Sequence, residues 1–269
     1  MRIHPSAIVE SGAELAEEVE IGPYACIGSE VTIGARTVIQ SHAVIEGKVS
    51  LGTDNQIGHA AIIGGLPQDL NFKPATRSGV EIGNRNVIRE HSTIHRGTAP
   101  ASATKIGDDN FLMAGAHVGH NCALGSKIII ANNCLLGGYV LVEDGAFLGG
   151  GCVFHQFMRI GRLAIAQGLS AFSKDIPPFC LAAERNQVFG LNVVGLRRAG
   201  FSAEERAEIR AAFRLLYESG LNVKQALARA QEREWSESAR TFFDFVAQVR
   251  RRGICAFGRV NRSSGDEED

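Results

Sequence analysis

Eight histidines carry most of the acid–base chemistry open to this 269-residue chain: His4, His42, His59, His91, His95, His117, His120 and His155. Imidazole is the side chain whose ordinary pKa lies nearest neutrality, so it suits general-base work at cellular pH. His117 and His120 stand close together in HVGHNC, and His155 opens HQF. The chain has a six-residue repeat, and none of the eight occupies an aliphatic or small position of it, so none reads as a satisfied core histidine. His4, His42 and His59 read as surface residues. The six cysteines show no metal-ligand spacing; Cys122, Cys134 and Cys152 fall on a recurrent small position, where a free thiol packs as a small hydrophobe.

The elements that must position these histidines come from that six-residue beat. Ile3, Val9, Leu15, Ile21, Ile27, Ile33, Ile39, Ile45, Leu51, Ile57 and Ile63 are all apolar. A second frame runs through Ile82, Ile88 and Ile94, resumes in phase at Ile106, and continues every sixth residue to Phe154 and Ile160. The residue four later is usually small, as at Ala25, Ala43, Ala61, Ala116, Cys134 and Cys152. Such a beat is the signature of a parallel β-helix built from hexapeptide repeats. Each hexad is a short strand and a corner, and each buried aliphatic contributes roughly 1.5–3 kcal/mol. Residues 64–80 (GGLPQDLNFKPATRSGV) shift the frame and are expected to leave the prism as a loop; 97–105 form a shorter excursion that keeps the phase.

Beyond Ile176 the beat stops. Ser202 and Glu205 read as a capping box opening a helix with Ile209, Phe213 and Leu216 on one face and Gly220 as its stop. Leu227 is placed in a second helix, and Phe242, Phe245 and Val249 in a third closed by Gly253. The expected organisation is a β-helix over 1–186, a helical domain over 187–255, and a disordered tail over 256–269, above all 263–269. A net charge of −1 argues against nucleic-acid binding. No signal peptide and no bilayer-spanning run is apparent, so a cytoplasmic protein with reduced cysteines, not embedded in a membrane, is expected.

Known hexapeptide folds imply three sides per turn, hence eighteen residues per coil, and a left-handed winding. On that spacing Gly138 lies one coil above His120 and Gln156 two coils above. The neighbouring column runs Gly119, Gly137, His155. With coils about 4.8 Å apart, a bare glycine beside an imidazole clears room for a substrate carbonyl, and the Gly138 N–H can hold an oxyanion. This is an acyl-transfer arrangement with His120 as general base.

PQDL at 67–70, TIHRGT at 93–98, HVGHNC at 117–122, HQF at 155–157 and GLRRAGFS at 195–202 occur in this order. The set resembles the bacterial UDP-N-acetylglucosamine 3-O-acyltransferases, the enzymes that begin lipid A synthesis, over nearly the whole chain to about Gly253. The resemblance implies a homotrimer with active sites between prisms, a (3R)-hydroxyacyl donor on acyl carrier protein, and a UDP-sugar acceptor. It implies no metal or nucleotide cofactor. By it His120 is the base and Gly138 the oxyanion donor. Gln68 and Asp69 match sugar and phosphate contacts; His117, His155, Gln156, Asn192 and Arg198 match substrate-lining positions; Gly168 matches a position limiting acyl length. Arg197 and Arg198 are suited to an acidic carrier protein. Asn121, Asn71, Tyr139, Val194 and Ala199 depart from the family's pattern, which leaves open N-acylation of the 3-amino analogue of the sugar. Other classes on this fold are an acetyl-coenzyme A acetyltransferase, a zinc carbonic anhydrase, for which His117 and His120 are wrongly spaced, and a non-enzymatic scaffold or ice-binding solenoid, against which the irregular charged faces argue.

Overall fold

A computed structural model describes residues 1–249 and 252–258. The six-residue beat folds as a three-faced prism of parallel strands, mostly two residues long. The first face runs from Arg2–Ile3 to Cys180–Ala183, the second from Ile8–Val9 to Ala171–Phe172, and the third from Glu14–Leu15 to Arg159–Ile160. The first edge joins faces one and two, the second edge joins two and three, and the third edge joins three and one. The inward aliphatics are sealed: Ile27, Ile45, Ile63, Ile94, Val118 and Leu136 are all at most 1% exposed. Ile3 is 41% exposed because the first coil has a neighbour on one side only.

Corners turn through a residue in the left-handed region; among the described residues twenty non-glycine positions adopt it, most of them at corners, including Tyr24, Lys127, Tyr139, Phe157 and Leu169. That conformation costs roughly 1–2 kcal/mol for an ordinary residue. The backbone ladder between coils offsets it, as when Tyr139 N–H donates to the His120 carbonyl at 2.9 Å. On the third edge the small slot carries an asparagine ladder. Asn86 N–H donates to Asn55 Oδ1, Asn110 N–H to Asn86 Oδ1, and Ile128 N–H to Asn110 Oδ1. These amides are buried, and their carboxamides occupy main-chain donors that would otherwise go unpaired.

Val38 pairs with Gln56, an offset of 56 − 38 = 18 residues. Gln56 then pairs with Val87, an offset of 87 − 56 = 31, and Val87 with Phe111, an offset of 111 − 87 = 24. The first excursion thus adds thirteen residues to a coil, two hexads plus one, which is why the frame slips. The second adds six and leaves the phase intact. Both are shorter than the sequence alone suggests. Strands Ile62–Gly65 and Gly79–Ile82 bracket the first at 66–78, and Thr93–His95 and Ala103–Ile106 bracket the second at 96–102. Gly64, at φ +89°, belongs to its strand, and a Cβ there would overlap the Glu46 carbonyl oxygen. Each excursion leaves the second face and returns to the third, so both emerge on the second edge.

After Cys180–Ala183 the chain reverses: Gln187–Leu191 pairs antiparallel with that strand, and Ala256–Phe257 pairs parallel with Gln187–Leu191. Residues 187–191 are therefore sheet rather than helix, and the expected tail begins with a strand; 259–269 lie outside the described residues. Four helices occur among the described residues: α1 (Val193–Arg198), α2 (Ala203–Tyr217), α3 (Val223–Ala230) and α4 (Glu237–Ala247). The capping box of α2 is present as read, with Ser202 and Glu205 reciprocally bonded. Val249 lies beyond the end of α4. The short α1 overlaps the start of GLRRAGFS, within the stretch expected to be helical. No described helix is long and apolar enough to cross a membrane.

Candidate active site

His120 lies at the second edge, one coil above the second excursion, and is 6% exposed. Gly138 sits directly on it. Tyr139 N–H bonds back to the His120 carbonyl, and Phe157 N–H donates to the Gly138 carbonyl at 3.0 Å. A Cβ built on Gly138 would lie 2.9 Å from His120 Nδ1 and closer still to Cε1 and Nε2. The imidazole therefore occupies the space of the missing side chain, and any other residue at 138 would push it aside. Among the described residues the Gly138 N–H donates to no backbone acceptor.

Around His120 two further imidazoles are packed. His95, 8% exposed, meets half-buried His117 edge to face at 4.8 Å between ring centres. Burial, with smaller contributions from the charges of His117 and His120, pulls the His95 pKa down to about 4. Burial and then the charge of His120 also lower that of His117, whose Nδ1 is 2.7 Å from Thr93 Oγ1. Among the described residues no three His, Cys, Asp or Glu side chains meet in a way that could hold a metal ion.

The second excursion folds back onto this corner. Asn121 Oδ1 is 3.1 Å from His120 Nδ1 and accepts from Thr98 N–H at 3.0 Å and Thr98 Oγ1 at 2.9 Å. The Tyr139 hydroxyl is 3.0 Å from Thr98 Oγ1, and its ring stands at right angles to that of His120 with centres 5.3 Å apart. Tyr139 in turn stacks on Phe157 at 4.8 Å. His95, Thr98, Asn121 and Tyr139 have no role assigned from sequence. The signal for two of them was present: Asn121 and Tyr139 stand out as departures from the family's pattern.

The remaining expected residues divide among the edges. His155 and Gln156 are exposed on the second edge, one coil above Gly138. Gln68 and Asp69 stand on the first excursion, with Asp69 Oδ1 accepting from Asn71 N–H at 2.8 Å. A cavity of about 560 Å³ lies behind that loop, lined by residues such as Lys48, Ser78, Glu81 and Arg96 and not by His120. Gly168 is on the first edge, across the whole second face from His120, packed against Gly150 and beside Leu169, which is 90% exposed. Asn192 and Arg198 are at the third edge. Asn192 Oδ1 caps α1 through Gly195 N–H, and its Nδ2 donates to the Leu163 carbonyl. One N–H of that amide remains. Arg198 is exposed in the last turn of α1.

The chain matches a family model described as UDP-N-acetylglucosamine O-acyltransferase, domain 2, over residues 175–255, and a bacterial transferase hexapeptide model over 103–138. It is 49% identical to a Paraburkholderia phymatum protein over 257 residues, covering 93% of this chain and 98% of the relative. It is 48% identical to one from Paraburkholderia xenovorans, covering 94% and 98%. Both relatives are named acyl-(acyl-carrier-protein)–UDP-N-acetylglucosamine O-acyltransferase. Among solved structures, the UDP-N-acetylglucosamine acyltransferase of Campylobacter jejuni superposes with a TM-score of 0.90 at 37% identity, covering 96% of this chain and 100% of that one. The Francisella novicida enzyme gives 0.90 at 36% identity, covering 94% of each.

Proposed function

The chain belongs to the UDP-N-acetylglucosamine O-acyltransferase family, and on that premise we propose how its own residues carry the reaction. It is a left-handed parallel β-helix enzyme that moves a (3R)-hydroxyacyl chain from acyl carrier protein to UDP-N-acetylglucosamine in lipid A synthesis. His120 Nε2 takes the proton of the sugar 3-hydroxyl as that oxygen attacks the thioester carbonyl. The Gly138 N–H receives the developing oxyanion. Collapse expels the carrier's thiolate, and the imidazolium returns the proton to sulfur, leaving an ester and a free carrier thiol. The observation that carries this reading is the imidazole seated in the vacant side-chain position of Gly138, under an N–H with no backbone acceptor among the described residues. The 3-amino acceptor is not favoured, since the relatives are named for O-acylation.

His117, His155, Gln156, Gln68, Asp69 and Arg198 are assigned to substrate contact, and Gly168 to the far end of the acyl chain. The catalytic unit is a homotrimer, supported by the division of these residues among three edges of one prism. The cytoplasm is the compartment that all six free cysteines suit. Purified His120→Ala, assayed with hydroxyacyl carrier protein and UDP-N-acetylglucosamine, is expected to lose at least about 10²-fold in kcat, the scale for removing a general base. Turnover near the unaltered rate would reject His120 in that role.

A further inference from the structure

A base at His120 works only if its Nε2 bears the lone pair, and the ring alone does not ensure that. We propose that Thr98 and Asn121 act as positioning residues that fix this tautomer through an uncharged relay; the proposal rests on His120 being the base. The Thr98 backbone N–H can only donate. The Asn121 atom facing it at 3.0 Å is therefore the carboxamide oxygen, not the nitrogen. That oxygen can only accept, so the His120 Nδ1 at 3.1 Å must carry its hydrogen. With Nδ1 protonated in the neutral ring, Nε2 is left as the free acceptor. The Thr98 hydroxyl adds a second donor to the same oxygen at 2.9 Å and is 3.0 Å from the Tyr139 hydroxyl, so Tyr139 ties the second excursion to the coil above His120. Asn121 N–H is held in turn by Thr104 Oγ1 at 2.8 Å, and Thr104 donates to the His95 carbonyl at 2.6 Å. The excursion at 96–102, which adds one hexad to its coil, thus reaches the ring of the base.

An amide oxygen fixes the tautomer but stabilises the imidazolium less than a carboxylate would. The device accordingly orients the base without placing a charge beside its ring. Two substitutions separate these effects. Asn121→Leu removes the acceptor; its left-handed corner, φ +59°, tolerates such a residue, as Leu163 and Leu169 show at corners of the other two edges. Asn121→Asp keeps an acceptor and adds charge.

The experiment is ¹⁵N NMR of histidine-labelled protein, with the His120 signals identified by their loss in His120→Ala, alongside kcat and KM against pH. In the unaltered enzyme the neutral His120 ring is expected to show a protonated Nδ1. Asn121→Leu is expected to shift the population toward a protonated Nε2 and to lower kcat roughly tenfold or more, by less than His120→Ala, with KM little changed. Asn121→Asp is expected to keep the tautomer and move the acid limb of the kcat/KM profile to higher pH. Thr98→Val, which retains the backbone N–H, should show an intermediate loss without unfolding. A protonated Nε2 in the unaltered enzyme, or an Asn121→Leu variant with unaltered tautomer and rate, would overturn the proposal. If His120→Ala itself kept full activity, the assignment of the base would fail instead, whatever the NMR showed.

Discussion

Buried His95 and half-buried His117 both make the fold sensitive to acid. The His95 pKa is pulled from the ordinary 6.5 to about 4, chiefly by burial, so the folded chain keeps the ring neutral where the unfolded chain would protonate it. Below pH 6.5 the unfolded state binds more protons, and the stability fully present above that pH drains away as the pH falls toward 4. The loss amounts to at most about 3 kcal/mol for His95, and His117, lowered for the same reason, adds in the same direction. The melting temperature is therefore expected to fall between about pH 7 and pH 4.5, and to fall less steeply in His95→Gln. Equal acid sensitivity in the two proteins would show that His95 does not titrate on unfolding. Of these residues, His120 and Gly138 were legible because an eighteen-residue step is countable. His95 was not, because its strand pairs through a register shift, setting His95 opposite Gly65 where a plain ladder would place Gly64. Thr98 reaches Asn121 only after an excursion turns back, and no periodicity describes that return.

The prism itself was readable because one inward aliphatic per hexad repeats without a polar exception, and burial then follows position by position. The corners were not readable in the same way. Tyr139, Phe157, Lys127 and Leu169 have low intrinsic preference for the left-handed conformation they adopt, and only the stacking of neighbouring coils imposes it. The helical end was legible from caps and apolar spacing, which located α2, α3 and α4 but gave no hint of the hairpin at Gln187–Leu191. Nor did they show what joins this part to the prism. Arg159, at the top of the third face, forms a buried ion pair with Asp175 at 2.8 Å, donates to the Phe245 carbonyl at 2.9 Å, and lies over the Phe245 ring at 4.2 Å. Its side chain is 12% exposed and that of Asp175 6%, so water cannot replace a lost partner. Asp175→Asn is expected to destabilise the protein by about 3 kcal/mol, the lower part of the range for breaking a buried pair. Calorimetry should show a lowered transition in which α2 to α4 begin to melt before the prism. A single transition at the unaltered temperature would mean that the joint contributes nothing.

The proposed homotrimer must be consistent with which faces of the prism can be left wet. Outward positions on the first face read Val87, Phe111, Ile129, Phe147, Ile165 and Leu181, and those on the second include Ile62, Leu135 and Val153 at 38%, 42% and 44% exposed. The third face presents Glu14, Thr32, Ser50, Glu81, Lys105, Ala123, Leu141 and Arg159, and is thus more polar than the upper part of the first face, whose lower coils carry Arg2, Glu20 and Gln56. Two apolar faces meeting at one edge are what a closed threefold arrangement requires, with the first edge near the axis and each second face against a neighbour's first. In the proposed homotrimer such packing would set the second edge of one copy, bearing His120, beside the third edge of the next, bearing Arg198, with Gly168 deep in the cleft. A site shared in this way can be repaired by mixing. His120→Ala and Arg198→Ala are each expected to be nearly inactive alone. Co-expressed at equal levels, they should form mixed trimers in which about one quarter of the clefts combine an intact His120 with an intact Arg198 from different copies. Activity near that fraction, measured on purified trimers of mixed composition, supports a shared cleft. Were both residues to act within one copy, every cleft would lack one of them, and mixing would restore nothing.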